Sequence, residues 1–252
     1  MDTGVETHRE IPIKEITTQT DTRDILAHCK FQGEQNNFDK MVIVDTDAHH
    51  MEIESWAAIC EYIEDEVQRT MALDHLRDRT GSPPYGINGD LALRYQDIGG
   101  RVPHQAKLGE PVDDKTVHRD VTLIRRAIES FHLDYMVIFP TPMLNLGMHP
   151  QFDMEAMLGR AYDHWFCENI LPMDPKMKTM LFVPFNDPHA ALKTVEELGG
   201  HPDVVGFMIT SVRHKPVHHN DYMKVYRAME ATGKPLGFHA GYNWQDPSMM
   251  QI

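Results

Sequence analysis

The stretch MVIVDTDAH, Met41 to His49, begins as an apolar run and ends in an acidic and an imidazole side chain. Such a short run, rich in valine and isoleucine, predicts a buried strand at Met41–Asp45. Side chains alternate along an extended chain, so Asp47 and His49 are expected to point to the same side just where the strand ends. A carboxylate and an imidazole that converge there can occupy two positions on one divalent metal ion.

A third candidate ligand lies far downstream, where the segment PLGFH ends a short apolar strand in His239. Three such side chains at the C-terminal ends of strands, in a chain that alternates strands and helices, predict an α/β fold with a metal site on a barrel. The adjacent His50 points away from His49 on an extended chain and is not expected to be a ligand. The alternatives are an aspartate that caps a turn, a surface histidine and a histidine satisfied in the core.

Composition sets the class of protein. The 252 residues suffice for one barrel domain, and 41% hydrophobic with 25% charged residues is typical of a soluble globular protein. A net charge of −14 argues against nucleic acid or an anionic membrane as a partner. The 3 cysteines are widely spaced and the N-terminus has no apolar signal-peptide core, so we expect a cytoplasmic protein without disulfides.

The chain is expected to begin with a polar N-terminal arm at residues 1–40, which lies on the domain or reaches a neighbouring subunit. The barrel domain then occupies residues 41–252. After the first strand, apolar spacing predicts one helix from about Glu54 to Leu76. Residues 77–117 are rich in glycine, proline and charged residues, which indicates a long insertion of the kind that often carries function.

From residue 120 onward, helices and strands alternate. The strands are near-continuous apolar runs, which is typical of parallel strands buried on both faces. The pattern predicts helices at Asp120–Phe131, Met154–Ile170, Pro188–Leu198 and Asp221–Thr232, and strands at Tyr135–Pro140, Met180–Phe185, Val204–Ile209 and Leu236–His239.

Four motifs in this order, VDTDAHH, FVPFNDPHAALKTVEEL, VVGFMITSV and YRAMEATGKPLGFHAG, resemble the amidohydrolase-related superfamily. The resemblance covers about residues 41–243 and is strongest to the branch that includes aminocarboxymuconate-semialdehyde decarboxylase. It implies a (β/α)8 TIM-type barrel with one metal at the C-terminal mouth. The acidic-x-His variant of the strand-one motif falls on Asp47 and His49, and the strand-five histidine matches His239. Zinc is the expected ion, with manganese or iron as alternatives.

The sequence departs from this family at its C-terminal end. Family members place another histidine after strand six and an aspartate after strand eight, whereas five strands are visible in this chain. We therefore expect the chain to be the N-terminal portion of a longer polypeptide. The catalytic acid and base are accordingly unassigned, because the resemblance places them beyond Ile252.

Three further residues are candidates for substrate binding. Arg213 and His214 follow the fourth strand at the end where barrel chemistry occurs, and a guanidinium matches a carboxylate in bidentate fashion. Trp244 comes shortly after His239 and is placed to line the pocket wall. The alternatives are a solvated loop for the first two residues and a packing role for the tryptophan.

Two functions follow from these features. The first is a metal-dependent hydrolase or non-oxidative decarboxylase that acts on a small, carboxylated organic molecule. The second is a non-catalytic, amidohydrolase-like subunit of a hetero-oligomer, docked on an active paralogue. The family resemblance also implies a homo-oligomer, while neither nucleic acid nor a membrane is an expected partner.

Overall fold

A computed structural model describes residues 22–50, 52–74, 112, 114–148, 152–210 and 215–239. Within this part of the chain, five strands form one sheet in which every neighbouring pair is parallel and the strand order follows the sequence. These are β1 Val44–His50, β2 Tyr135–Pro140, β3 Met177–Phe182, β4 Val204–Ile209 and β5 Leu236–Phe238. The prediction of five parallel strands in an α/β chain is thus confirmed.

Seven α-helices are described with this sheet. They are α1 Thr22–Gln35, α2 Trp56–Cys60, α3 Glu66–Asp74, α4 Arg119–Ser130, α5 Phe152–Asn169, α6 Pro188–Leu198 and α7 Met223–Thr232. Short 3-10 turns occupy Phe38–Lys40, Glu52–Ser55, Pro142–Met148, Leu171–Met173 and Asn220–Tyr222. Large aromatic side chains fill the core, among them Trp56, Tyr162, Trp165, Phe166, Phe182 and Phe207.

Local chemistry accounts for the helix ends. Asp187 caps α6, because its side chain accepts hydrogen bonds from the backbone N–H groups of His189 and Ala190. Pro188 then occupies the first turn, where its missing N–H costs nothing. At the other end of the next helix, α7 stops at Gly233, whose positive φ of 70° suits a glycine.

The sheet curls strongly. Crossovers between parallel strands are right-handed in nearly all cases, so a sequential strand order places the connecting helices on one face. In a flat sheet β1 and β5 would lie about 19 Å apart, four times the usual strand spacing. Instead Nε2 of His239, which follows β5, lies 3.0 Å from Oδ1 of Asp47 on β1. The five strands therefore form half of a barrel whose open side brings the first and last strands towards each other.

The observed bounds differ from the sequence-based ones at β1 and β3. β1 starts at Val44 rather than Met41, because the N–H of Ile43 is bonded to the Asp134 carboxylate instead of the ladder. It then runs through the polar residues to His50, so Asp47 and His49 lie within the strand and not after it. β3 is displaced three residues towards the N-terminus, ending before Pro184, which has no N–H for the ladder.

The prediction of a single helix from Glu54 to Leu76 is also wrong. A 3-10 turn, α2 and α3 replace it within residues 52–74. The interruption comes where the Asp65 side chain accepts a hydrogen bond from the backbone N–H of Gln68, which caps a new helix.

Part of the polar N-terminal segment forms α1, which packs on α4 and the turn that follows it. Lys30 is paired with Glu129, and its backbone carbonyl accepts a hydrogen bond from Nε2 of His132 at 2.9 Å. Gly33 lies directly under the same imidazole ring. Of the insertion expected at residues 77–117, only residues 112 and 114–117 are among those described.

Gly33→Ala is expected to destabilise the protein by about 1–3 kcal/mol, because overpacking forces neighbouring atoms out of place. A methyl group at this position would lie 2.1 Å from the His132 ring. Urea denaturation measures the change in unfolding free energy. Gly200→Ala is the matched control, since nothing lies within 4 Å of a Cβ there. Equal stability of the two variants would show that α1 does not pack tightly against His132.

Candidate metal centre

The side chains of Asp47, His49 and His239 converge, and one ligand atom from each lies within 4.8 Å of the others. Oδ1 of Asp47 is 3.0 Å from Nε2 of His239 and 3.4 Å from Nε2 of His49. The structure thus brings together all three residues that the sequence singled out as ligands, from opposite edges of the curled sheet.

A local irregularity shapes the β1 half of this cluster. Asp45 and Ala48 both pair with β2, but the register shifts between them. Within the shift, the N–H of Asp47 donates to the Asp45 carboxylate at 3.0 Å instead of to the ladder. Bulged strands re-aim side chains in this way and are common at the rims of barrels.

The His49 ring has a defined tautomer. Its Nδ1 lies 3.1 Å from the carbonyl oxygen of Pro140, so Nδ1 carries a proton and donates it. Burial holds the pKa of His49 below its usual value, although the Pro140 carbonyl and Asp47 oppose the shift. Nε2, the other ring nitrogen, faces the Asp47 carboxylate at 3.4 Å, and a cation between the two groups would stabilise this arrangement.

The donor set suits a divalent ion. Ligands bonded at about 2.1 Å and at right angles or tetrahedral angles to each other are separated by about 3.0–3.4 Å, which are the separations of the Asp47 oxygen from the two imidazole nitrogens. One carboxylate and two imidazoles fit zinc, manganese or iron and leave coordination positions open. The Asp47 side chain is 73% exposed, so small molecules can reach it from solvent.

An aromatic wall, which the sequence analysis missed, borders the cluster. The buried Phe139 ring lies 5.8 Å from the His49 ring and 5.1 Å from the His239 ring, between centroids. Phe139 lies beside His49 in the β1–β2 register. That pairing is set by the tertiary structure, so the sequence alone could not point to this residue. Phe139 makes one side of the cluster apolar.

His50 turns to the other side of β1, as strand alternation predicts, and is 7% exposed. Its Nδ1 lies 3.2 Å from Oδ2 of Asp120 and its Nε2 lies 2.8 Å from the Tyr162 hydroxyl. The Ser55 hydroxyl donates to the same Asp120 oxygen at 3.1 Å. These buried contacts anchor the end of β1, and hence its two candidate ligands, to α4 and α5.

Ser55, His118 and Asp120 are the residue types of a nucleophilic triad, but their hydrogen bonds run the wrong way. The serine donates its proton to the aspartate, and Nδ1 of His118 accepts from the Asp120 backbone N–H. Nε2 of a neutral His118 therefore carries the proton that bonds the serine oxygen at 3.2 Å. The imidazole is not placed to accept the serine proton, as a catalytic base must.

Glu52 is a second buried acid that sequence reasoning missed. Its carboxylate accepts hydrogen bonds from the backbone N–H groups of Thr141 at 2.9 Å and Met143 at 2.6 Å. It thereby ties the segment after β1 to the segment after β2. Burial raises the pKa of Glu52 to about 7.

Because the folded-state pKa of Glu52 is raised from its ordinary 4.5, the native protein keeps this proton longer than the unfolded chain does. The resulting stability is full below pH 4.5 and is lost as the pH rises through about 7. Between pH 5.5 and 8, the parent should therefore lose about 2 kcal/mol of unfolding free energy relative to Glu52→Gln. Denaturation with a metal chelator present measures it. If the unfolding free energy changes with pH by the same amount in the parent and in Glu52→Gln, the prediction is contradicted. Glu196→Gln, at an exposed position of α6, is the control.

The three substrate-binding candidates Arg213, His214 and Trp244 lie outside the described residues. None of the described helices has the length and apolar character that crossing a bilayer requires.

The fold and the side chains define the class: an α/β half-barrel of parallel strands with a carboxylate–imidazole cluster at one end. No protein-family model matches the chain, and no curated protein matches its sequence. Among solved structures, it is similar to 5-carboxyvanillate decarboxylase from Novosphingobium aromaticivorans, complexed with manganese and 4-hydroxy-3-methoxy-5-nitrobenzoic acid. The TM-score is 0.54 at 16% identity, over 85% of this chain and 54% of that one.

A second similar structure is 2,6-dihydroxybenzoate decarboxylase complexed with 2,6-dihydroxybenzoate, with a TM-score of 0.42 and 11% identity over 79% of this chain and 49% of that one. The chain thus spans about half the length of the solved structures it matches. The likeness to the carboxyvanillate enzyme establishes the fold.

Proposed function

We propose that this chain belongs to a metal-dependent enzyme of the amidohydrolase-related superfamily that removes a carboxylate group from a small aromatic acid without oxidation. The observation that carries the proposal is the convergence of Asp47, His49 and His239, with Nδ1 of His49 held by the Pro140 carbonyl and its Nε2 facing the Asp47 carboxylate. The decarboxylase activity of the carboxyvanillate enzyme, whose fold this chain shares, supports this reaction over hydrolysis.

The five strands are, in this proposal, the first five of an eight-stranded barrel. Their parallel, sequential order and the contact between the Asp47 and His239 side chains across the curled sheet support it. The remaining ligands would then come from the later strands, where the superfamily places a histidine and an aspartate.

Asp47, through Oδ1, and both histidines, through Nε2, would hold the divalent ion. When bound, the ion supplies positive charge that orients the substrate and stabilises negative charge that develops on it. The expectation of zinc finds no support, whereas the 5-carboxyvanillate decarboxylase structure contains manganese. Manganese is therefore the first ion to test.

Non-oxidative decarboxylation breaks the bond between the ring carbon and the carboxylate, releases CO2 and returns a proton to the ring carbon. Within the described residues, the buried Phe139 ring packs against the His49 and His239 rings and keeps that side of the cluster apolar. Arg213 remains our proposed contact for a substrate carboxylate, with His214 and Trp244 as neighbouring wall residues. The proton donor is proposed to lie on the later strands.

The test uses the full-length protein loaded with Mn2+ or Zn2+ and a panel of hydroxybenzoic acids, with CO2 release as the measurement. In D2O, one deuterium should enter the product at the carbon that lost its carboxylate. Aromatic amides and esters form the hydrolysis arm. If only the amides or esters are turned over, the proposed reaction is hydrolysis and not decarboxylation. If the protein binds the metal but turns over neither the acids nor the amides and esters, the non-catalytic subunit of a hetero-oligomer is favoured. Size measurement on the same sample tests the proposed homo-oligomer.

A further inference from the structure

Thr210 follows β4 directly and carries an unusual buried hydroxyl. The residue is 4% exposed, and its Oγ1 has no hydrogen-bond partner among the described residues. Leaving a buried hydroxyl without a partner costs on the order of 1–3 kcal/mol, so such groups are rare in folded proteins. A valine would fill the same volume without that cost, which makes the hydroxyl a feature to explain.

The sheet register places Thr210 beside a proposed metal ligand. Met208 pairs with Gly237, and Ile209 pairs with Phe238. The ladder continues one step further, because the N–H of His239 donates to the carbonyl of Ile209 at 2.9 Å. Thr210 is therefore level with His239 on the adjoining strand.

The two side chains also share a face of the sheet. A Cβ on Gly206 and one on Gly237 would each meet Met180, so both glycines face the same side as that methionine. Alternation carries this face from Gly206 to Thr210 on one strand and from Gly237 to His239 on the other.

The opposite face of β4 belongs to the helices. The ring of Phe207 lies 3.3 Å from a Cβ built on Gly199, at the end of α6. Thr210, which is out of phase with Phe207, thus points away from the helix layer and into the concave side where the ligand cluster lies.

We propose that Thr210 is a substrate-contacting residue, whose Oγ1 donates a hydrogen bond to an oxygen of a bound carboxylate. This inference rests on the proposed function, since it assigns a role within the same site. It explains why the hydroxyl has no partner within the described part of the chain: its acceptor arrives with the ligand. A hydrogen bond to a charged oxygen at a buried position is among the stronger ones.

The test compares Thr210→Val with Thr210→Ser in the full-length, Mn2+-loaded protein, using 4-hydroxy-3-methoxy-5-nitrobenzoic acid as the carboxylate probe. Calorimetry should give a probe affinity about tenfold weaker for valine and close to the parent for serine. Mn2+ affinity and thermal stability should be unchanged in Thr210→Val, or the stability raised, because no internal hydrogen bond is lost.

Two outcomes overturn the inference. If Thr210→Val binds the probe as tightly as the parent does, the hydroxyl does not contact the carboxylate. If the variant unfolds more easily than Thr210→Ser does, the hydroxyl has a structural partner such as a buried water. Failure of the proposed function looks different, because the parent itself would then bind neither Mn2+ nor the probe.

Discussion

His239→Ala is expected to weaken metal binding by more than about 100-fold, since changes to residues that only orient a ligand already cost 10–100-fold. The substitution removes one of the three donors and leaves Asp47 and His49 on β1. Two ligands from one strand cannot enclose an ion from opposite edges of the sheet. The loss should also abolish any decarboxylation. Competition with a chelator, together with elemental analysis of the purified protein, measures the change.

A matched control separates the ligand from histidines in general. His189 lies on α6, away from the cluster, so His189→Ala should retain the full metal content. A conservative change at the partner ligand, Asp47→Asn, removes the negative charge with little change in volume and should weaken binding as well. Equal metal retention by the parent and His239→Ala would remove this cluster as the metal site.

Asp120→Ala is expected to lower the free energy of unfolding by about 3–5 kcal/mol, the range for breaking a buried charged network by removing one partner. Burial alone would raise the pKa of Asp120, but the hydrogen bonds from His50 and Ser55 hold it below the usual value. The carboxylate is thus ionised, buried and satisfied. Its removal leaves the His50 and Ser55 groups without their shared acceptor.

Chemical denaturation at neutral pH measures this loss. Asp153→Ala, at an exposed position in the first turn of α5, is the control and should change stability by no more than about 1 kcal/mol. Because His50 follows His49 directly, metal affinity should fall together with stability in Asp120→Ala. A stable variant with normal metal affinity would show that the buried network does not anchor β1.

The sequence predicted best those elements whose boundaries are set locally. Strands Tyr135–Pro140 and Val204–Ile209 were placed with their observed ends, because each is an uninterrupted apolar run. Helix Pro188–Leu198 was also placed correctly, since a capping aspartate and a proline mark its start. In such segments, hydrophobic pattern and capping agree.

The predicted and observed boundaries disagree where polar candidate-site residues interrupt the apolar pattern. The second half of β1, TDAHH, is polar, so the apolar run ended the predicted strand too early. Strand alternation and the repeated histidine at a strand end are local signals, and the three residues they singled out do lie together; that they bind a metal stays a prediction. The buried residues that hold β1 in place were not predicted. Asp120 and Tyr162 meet His50 across 70 and 112 residues, and Glu52 meets Thr141 across 89, distances at which a single sequence holds no pairing signal.

The contact between Asp47 and His239 joins residues separated by 192 positions. Bringing such distant segments together requires the whole series of intervening strands to be in place, which makes this one of the last contacts the chain can form. If the cluster binds a metal ion as proposed, metal uptake would report completed folding, because an intermediate that lacks β5 has only two of the three candidate ligands. By the same linkage, a bound ion would stabilise the fully curled sheet against separation of β1 from β5.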